Sequence, residues 1–411
     1  MRTLIDAVNI MRDIPHVELG AAVKHVAVIV ASPRSGSSLV TKVLSSHSDI
    51  ASMDGEIEPF LSLTGNGFGF NSDSDALSVL SNLSELVDNI FDNLTVLADK
   101  ASPTQLKKQW AKRLVMQFPA KFSDLNQHQK LLQALDVTLT QDCVNRYPQE
   151  RHLQHHVLSR IFSDEPWRMA YYDGEKKVGA GRYFDEAFKI EEPPFVVPRR
   201  NRRPFSDGDA DKKMLLFKTS TDVYRVGMYE QLFPNADIKY IHLTRGYAQT
   251  VNGLMDGWLS PVGFFSHNLG QTGFKLNIKG YSDAVPFGKN WWKFDLPPNW
   301  RNYIGAHLED ICLNQWISSH REFLNTGVPA LQIAFESFLM DPTATVRRIT
   351  NYLGLASLQV PEALPVTMAT EMPGTTRWKR REDQLMQLGT RLEVRSMMDT
   401  LGYTMNSERW I

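Results

Sequence analysis

His25-Val26-Ala27-Val28-Ile29-Val30-Ala31 runs directly into Ser32-Pro33-Arg34-Ser35-Gly36-Ser37-Ser38, and Leu39, Val40, Val43 and Leu44 follow. The six residues after His25 are apolar and mostly β-branched, and they stop at a Ser-Pro pair, which marks a buried strand. The aliphatic residues after the turn fall at helical spacing and predict a helix over 38–46. The small residues of the turn let the backbone wrap an anion. The helix start adds unpaired N–H groups and the positive end of a dipole. Ser35 and Gly36 belong to that wrap, Ser37 and Ser38 can donate hydroxyls, and Arg34 brings a fixed charge with a forked donor. A nucleotide-triphosphate loop would need Gly, four residues, then Gly-Lys-Ser/Thr; the stretch has neither the spacing nor the Lys.

Further strands are expected at 50–53, 214–218, 238–243 and 330–335, alternating with helices at 222–232, 248–258, 306–324 and 343–353. That order predicts an α/β fold with a mainly parallel sheet flanked by helices. Residues 78–189 carry a helical rhythm (Leu83, Val87, Ile90, Leu94, Leu97) and read as a large helical insertion. Pro193-Pro194, Arg199–203 and an Asp-rich turn break the pattern over 191–213, which reads as a surface loop. Residues 259–303 hold many Gly, Pro, Phe and Trp without a period and read as an aromatic-rich cap loop over the core. A terminal amphipathic helix is expected over 384–401.

Composition narrows the function. Over 411 residues, 45 Lys+Arg balance 46 Asp+Glu to a net charge of −1, so the basic excess of a duplex nucleic-acid binder is missing. Any bound anion must meet a local basic cluster. At 42% hydrophobic and 22% charged the chain can bury a full core. Cys143 and Cys312 are too few for a disulfide framework or zinc site. His152 and His156 are four apart on a helix, yet no third ligand is near in sequence, so no metal is expected. No serine-hydrolase Gly-x-Ser-x-Gly is present. The N-terminus lacks the apolar region of a signal peptide, and no apolar run is long enough to span a bilayer, so the expected location is cytoplasmic.

Pro33-Arg34-Ser35-Gly36-Ser37-Ser38-Leu39 resembles the 5′-phosphosulfate loop of sulfotransferases that use 3′-phosphoadenosine-5′-phosphosulfate (PAPS). Lys239-Tyr240-Ile241-His242-Leu243-Thr244-Arg245 and the following helix resemble that family's 3′-phosphate motif. Phe217-Lys218-Thr219-Ser220, Phe335-Glu336-Ser337-Phe338 before Asp341-Pro342, and Arg377-Trp378-Lys379-Arg380 resemble three further segments in the family's order, the last being its nucleotide-covering loop. Arg34 matches the bacterial and tyrosylprotein-type branch. One position departs: the family's usual Ser eight residues after the motif Arg is Gly253, with Asn252 beside it as an alternative contact.

The resemblance implies a single domain over 1–411, with a phosphosulfate-loop unit (20–60), a helical insertion (75–190), a 3′-phosphate unit (214–258), an acceptor-site loop (259–305) and a C-terminal part of the core (306–411). It implies PAPS as co-substrate, no required metal, and a small-molecule acceptor. Arg34 and Lys218 would stabilise charge on the bridging oxygen. Arg245, Asn252 or Gly253, Trp378, Lys379 and Arg380 would hold the nucleotide, with Trp378 stacked on adenine. Glu56 resembles the Gly-Glu base of tyrosylprotein-type members, offset by about one residue; Asp54 and Glu58 are alternatives, and His242 is a rival that also reads as a core histidine. Phe264, Phe265, Phe274, Tyr281, Trp291, Trp292 and Phe294 either build a pocket for a hydrophobic or aromatic acceptor or pack the loop onto the body. The alternatives to a sulfotransferase are a small-metabolite kinase of the P-loop type, which would need a loop Lys and Mg²⁺ ligands, and a catalytically silent nucleotide-binding protein.

Overall fold

The computed structural model describes residues 2–100, 102–173, 183, 184, 186, 188–193, 197–372 and 374–410. Of the expected insertion, 101, 174–182, 185 and 187 lie outside the described residues, as does Pro194 of the expected break.

Among the described residues the strands are β1 (His25–Val30), β2 (Ile50–Met53), β3 (Leu94–Leu97), β4 (Arg202–Pro204), β5 (Met214–Lys218), β6 (Asp237–Thr244), β7 (Phe265–Asn268), β8 (Trp291–Lys293) and β9 (Ala330–Ala334). Seven form one sheet in the order β4-β3-β2-β5-β1-β6-β9. β2, β5, β1, β6 and β9 are parallel, and β3 and β4 join antiparallel at one edge. β7 and β8 pair separately in the cap loop.

β1 is central because both its faces are apolar. Val26, Val28 and Val30 enter one core layer, while Ala27 and Ile29 enter the other. That period-two split of a continuous apolar run is what helices on both faces of a parallel sheet require. The first layer reaches into the helical insertion, where Trp110, Leu114 and Phe118 are buried. The second holds Val40, Val43 and Leu44 of the helix Ser37–Leu44.

Three expectations are corrected. The helical rhythm near residue 90 stops at Asn93, and 94–97 form β3 instead. The Thr95 hydroxyl donates to the Ser52 carbonyl at 3.1 Å across the ladder. The supposed surface loop 191–213 supplies β4, and its arginines are used internally. Arg199 pairs with Asp54, Arg200 with Glu150, and Arg203 with Asp209. Arg202 is buried on Thr95, Ser52 and the Ser45 carbonyl. The terminal helix is two, Glu382–Leu388 and Leu392–Thr400, broken at Gly389; a Cβ there would lie 2.4 Å from the Tyr247 hydroxyl.

Candidate active site

The parallel strands end together. Ile29 of β1 is level with Lys218 of β5, Val30 with His242 of β6, and Thr244 of β6 with Ala334 of β9. The chain leaves β1 toward β2 on one side, and later passes from β5 to β6 across it. β1 is therefore the switch point, and ligands of open α/β sheets bind beyond such strand ends.

The loop after β1 is held by its own serines. Ser35 N donates to the Ser32 carbonyl at 3.3 Å, and the two hydroxyls lie 2.6 Å apart. Gly36 has φ 85°, and a Cβ there would come 2.2 Å from the Phe335 ring, so glycine is required twice over. The helix Ser37–Leu44 begins immediately after, which turns its first amides toward the loop.

Three arginines converge here from distant parts of the chain. Arg34 donates to the Met368 carbonyl at 2.6 Å, and its guanidinium lies 5.1 Å from the Phe264 ring centre. Arg245, just past β6, donates to the Arg34 carbonyl at 3.0 Å and lies 5.1 Å from the Phe335 ring centre. Arg377 pairs with Asp256 and Glu371, both at 2.7 Å. Among the described residues the Nε atoms of Arg34, Arg245 and Arg377 are all buried without a hydrogen-bond partner. Burial pushes Arg34 down to about 10, and the charges of Arg245 and Arg377 push the same way, against Asp256. Arg245 is also lowered, first by burial and then by Arg377, with Glu336 opposing. Guanidiniums that repel one another and each keep a buried Nε unpaired can take an anion between them.

The other expected residues divide. Ser35 and Ser37 are buried in the loop wall, and the Ser38 hydroxyl contacts the Met368 sulfur at 3.3 Å. Gly253 lies under Arg34: a Cβ there would be 3.4 Å from the Arg34 Cβ and 3.6 Å from its Nε. Asn252 is on the same helix (Tyr247–Leu259) and accepts from Arg381, which also pairs with Asp256 at 2.7 Å. Trp378, expected to stack on adenine, is instead 2% exposed and packs edge-to-face on Trp410 at 5.0 Å. Lys379 is exposed, and Arg380 is bound to Glu371. The residue of that segment whose charge acts on Arg34 and Arg245 is Arg377, which was not among the expected nucleotide-holding residues.

Glu56 and Lys218 form an ion pair. Ile57 N donates to the Thr219 hydroxyl at 3.3 Å, which stitches the Glu56 loop to the end of β5. The alternatives are engaged elsewhere: Asp54 with Arg199, and Glu58 with Arg225 and the Thr221 hydroxyl. His242 is a core histidine, buried 2.9 Å from His320 and pushed down to about 4 by that burial. In the cap loop Phe265, Tyr281, Trp291, Trp292 and Phe294 are buried, so these five pack the loop onto the body. Phe264 and Phe274 keep exposed surface. No group of three or more His, Cys, Asp or Glu among the described residues is arranged to hold a metal. No described helix is long and apolar enough to cross a membrane.

No protein-family model and no curated protein matches the chain. Solved structures do. The sulfotransferase domain from the curacin biosynthetic pathway aligns over 93% of this chain and 99% of its own, at 13% identity and a TM-score of 0.40. The sulfotransferase domain of the Synechococcus PCC 7002 olefin synthase covers 93% and 96%, at 13% and 0.36. A sulfotransferase from Alicyclobacillus acidocaldarius covers 94% and 99%, at 12% and 0.36. The chain is thus similar over nearly its whole length to sulfotransferase structures, at an identity that leaves its chemistry to be argued from the site residues themselves.

Proposed function

We propose that the protein transfers the sulfuryl group of PAPS to a hydroxyl of a small-molecule acceptor. The observation that carries this reading is the meeting of Arg34, Arg245 and Arg377 at the Ser32–Ser38 loop, each with a buried Nε left unpaired. A donor with a 3′-phosphate and a 5′-phosphosulfate supplies anionic groups for more than one guanidinium. The residues present fit it without a triphosphate-type Lys.

Arg245 and Arg377 act in this reading as anion clamps, for which a guanidinium's planar fork is suited. Arg34 exchanges the Met368 carbonyl for the oxygen that bridges phosphorus and sulfur. As the acceptor oxygen bonds to sulfur, the bridging S–O bond breaks and its electron pair stays on the leaving phosphate, where Arg34 and Lys218 meet the charge. Glu56 takes the acceptor's proton. By analogy with phosphoryl transfer, positioning and charge stabilisation supply most of the catalysis. A hydrophobic or ring-bearing acceptor would approach from the side of the cap loop, where Phe264 lies half-buried beside Arg34.

Calorimetry with adenosine 3′,5′-bisphosphate, adenosine 5′-monophosphate and ATP–Mg²⁺ tests the reading. The bisphosphate should bind best, and Arg245→Ala should lose its preference over the monophosphate. In assays with labelled PAPS, Arg34→Ala should lose on the order of a hundredfold in turnover. Tighter binding of ATP–Mg²⁺ than of the bisphosphate would move the assignment to a kinase.

A further inference from the structure

Among the described residues six non-glycine positions have positive φ: Asp13, Arg34, Asn82, Phe264, Phe294 and Met368. Four of them form one chain of contacts. Met368 accepts from Arg34, Arg34 lies over Phe264, and Phe264 stacks on Phe294 with ring centres 4.7 Å apart and planes 28° apart. For an aromatic residue a left-handed backbone is strained, and such strain persists only where the surroundings hold it. Two are held so here, Phe264 at 67° and Phe294 at 61°.

The holding parts are visible. Phe294 N donates to the Phe264 carbonyl at 3.3 Å. The turn before Phe264 is gripped by Lys293, which donates to the carbonyls of Ser260 at 3.0 Å and Gly263 at 2.6 Å. Lys293 is fully buried, its ammonium 3.4 Å from the Phe265 ring centre. The helix beneath supplies space at both ends of the stack: Gly253 under the Arg34 stem, and Gly257 where a Cβ would be 2.2 Å from Phe294 Cζ. Arg34 meanwhile faces the like charges of Arg245 and Arg377, which repel it.

We infer that Phe264, backed by Phe294, is a positioning residue for Arg34: its ring face holds the guanidinium over the loop against the repulsion of the two other arginines. This rests on the sulfuryl-transfer reading for its catalytic consequence, not for the placement itself. The cap loop thereby joins the donor site, so the segment that borders the acceptor also sets the cation that meets the leaving group.

The test compares Phe264→Leu, which keeps an apolar side chain and removes the ring face, with Phe264→Tyr, which keeps the face. Modification of Arg34 by phenylglyoxal, followed by peptide mass spectrometry, reads the placement without any substrate. Phe264→Leu should raise the rate severalfold, and Phe264→Tyr should leave it near wild type. With PAPS, Phe264→Leu should lower kcat about thirtyfold, the equivalent of a desolvated cation–π contact, with KM for PAPS little changed; Phe264→Tyr should rescue it. Unchanged labelling in a Phe264→Leu protein that melts like wild type overturns the inference. Altered labelling with no sulfuryl transfer by the wild type overturns the function and keeps the placement.

Discussion

Gly253 and Gly257 lie four residues apart on one buried helix, and replacing each by alanine should change stability in opposite directions. Both changes bring the same intrinsic gain, about 1 kcal/mol for alanine over glycine inside a helix. At Gly253 the added methyl would meet Arg34 at 3.4–3.8 Å, ordinary contact against a side chain that can give slightly. Most of the gain should survive, leaving Gly253→Ala more stable by about 0.5–1 kcal/mol. At Gly257 the methyl would lie 2.2 and 2.8 Å from two atoms of the Phe294 ring. That ring is backed by Phe264 at 4.7 Å and cannot simply swing away. Overpacking of this kind costs about 1–3 kcal/mol, so Gly257→Ala should come out neutral to about 2 kcal/mol less stable. Unfolding entropy of about 2.1 cal/mol/K per residue means that 1 kcal/mol moves the melting temperature of a chain this long by only about 1 °C. Equilibrium urea unfolding, read as the difference between the two midpoints, is the better assay. If Gly257→Ala is as stable as Gly253→Ala, the Phe294 ring is not wedged on the helix, and the strained stack loses its support.

Glu56→Gln should leave adenosine 3′,5′-bisphosphate affinity within a few-fold of wild type while transfer to an alcohol falls about a hundred- to ten-thousandfold; full activity on the best alcohol acceptor would remove Glu56 as the base. His242 gives a pH signature. Its folded pKa is depressed to about 4 from 6.5, so the unfolded chain takes up the proton first, and stability present above pH 6.5 is lost as pH falls toward 4. The full loss is about 3 kcal/mol. Urea midpoints at pH 7.5 and 5 should converge in His242→Asn relative to wild type, and an equal pH slope in the two proteins would contradict a neutral buried imidazole.

The central strands were readable because a parallel strand covered on both faces is a short unbroken apolar run, and β1 after His25 and β5 up to Lys218 have that form. The edge was not. β4 is Arg202-Arg203-Pro204, a charged triplet that pattern reading places in solvent. It enters the sheet because Arg202 finds hydroxyls and carbonyls on β2, β3 and the preceding turn. β3 was hidden by a leucine register that continues the helix before it, although Thr95 and Val96 are β-branched.

The site divides along the same line. That Arg34 and Arg245 lie together was legible because each follows an apolar parallel strand, Arg34 a short turn after β1 and Arg245 directly after β6. The place of Arg377 beside them was not legible, since it rests on a contact that spans 121 residues to Asp256. Within its segment the choice of Trp378 was a local misreading with a physical cause. Arg377–Arg381 is a 3-10 helix, where residues three apart share a face. Arg377 and Arg380 therefore both point to Asp256 and Glu371, while Trp378, the single apolar residue of the five, turns inward.

Whole-chain charge, −1, was equally uninformative about this place. Asp256 alone is paired with Arg377, Arg380 and Arg381, and Glu371 with two of the same three. Arg34 makes its polar contact with a neutral carbonyl, and Arg245 donates to another. The carboxylates near the loop are thus divided among more guanidiniums than they can neutralise. The excess is concentrated where a helix N-terminus adds to it, beyond the end of the central strand. An overall neutral protein that carries a local cationic surplus at that point places the balancing carboxylates elsewhere on the chain, and it is this local surplus that the anionic donor proposed above would offset.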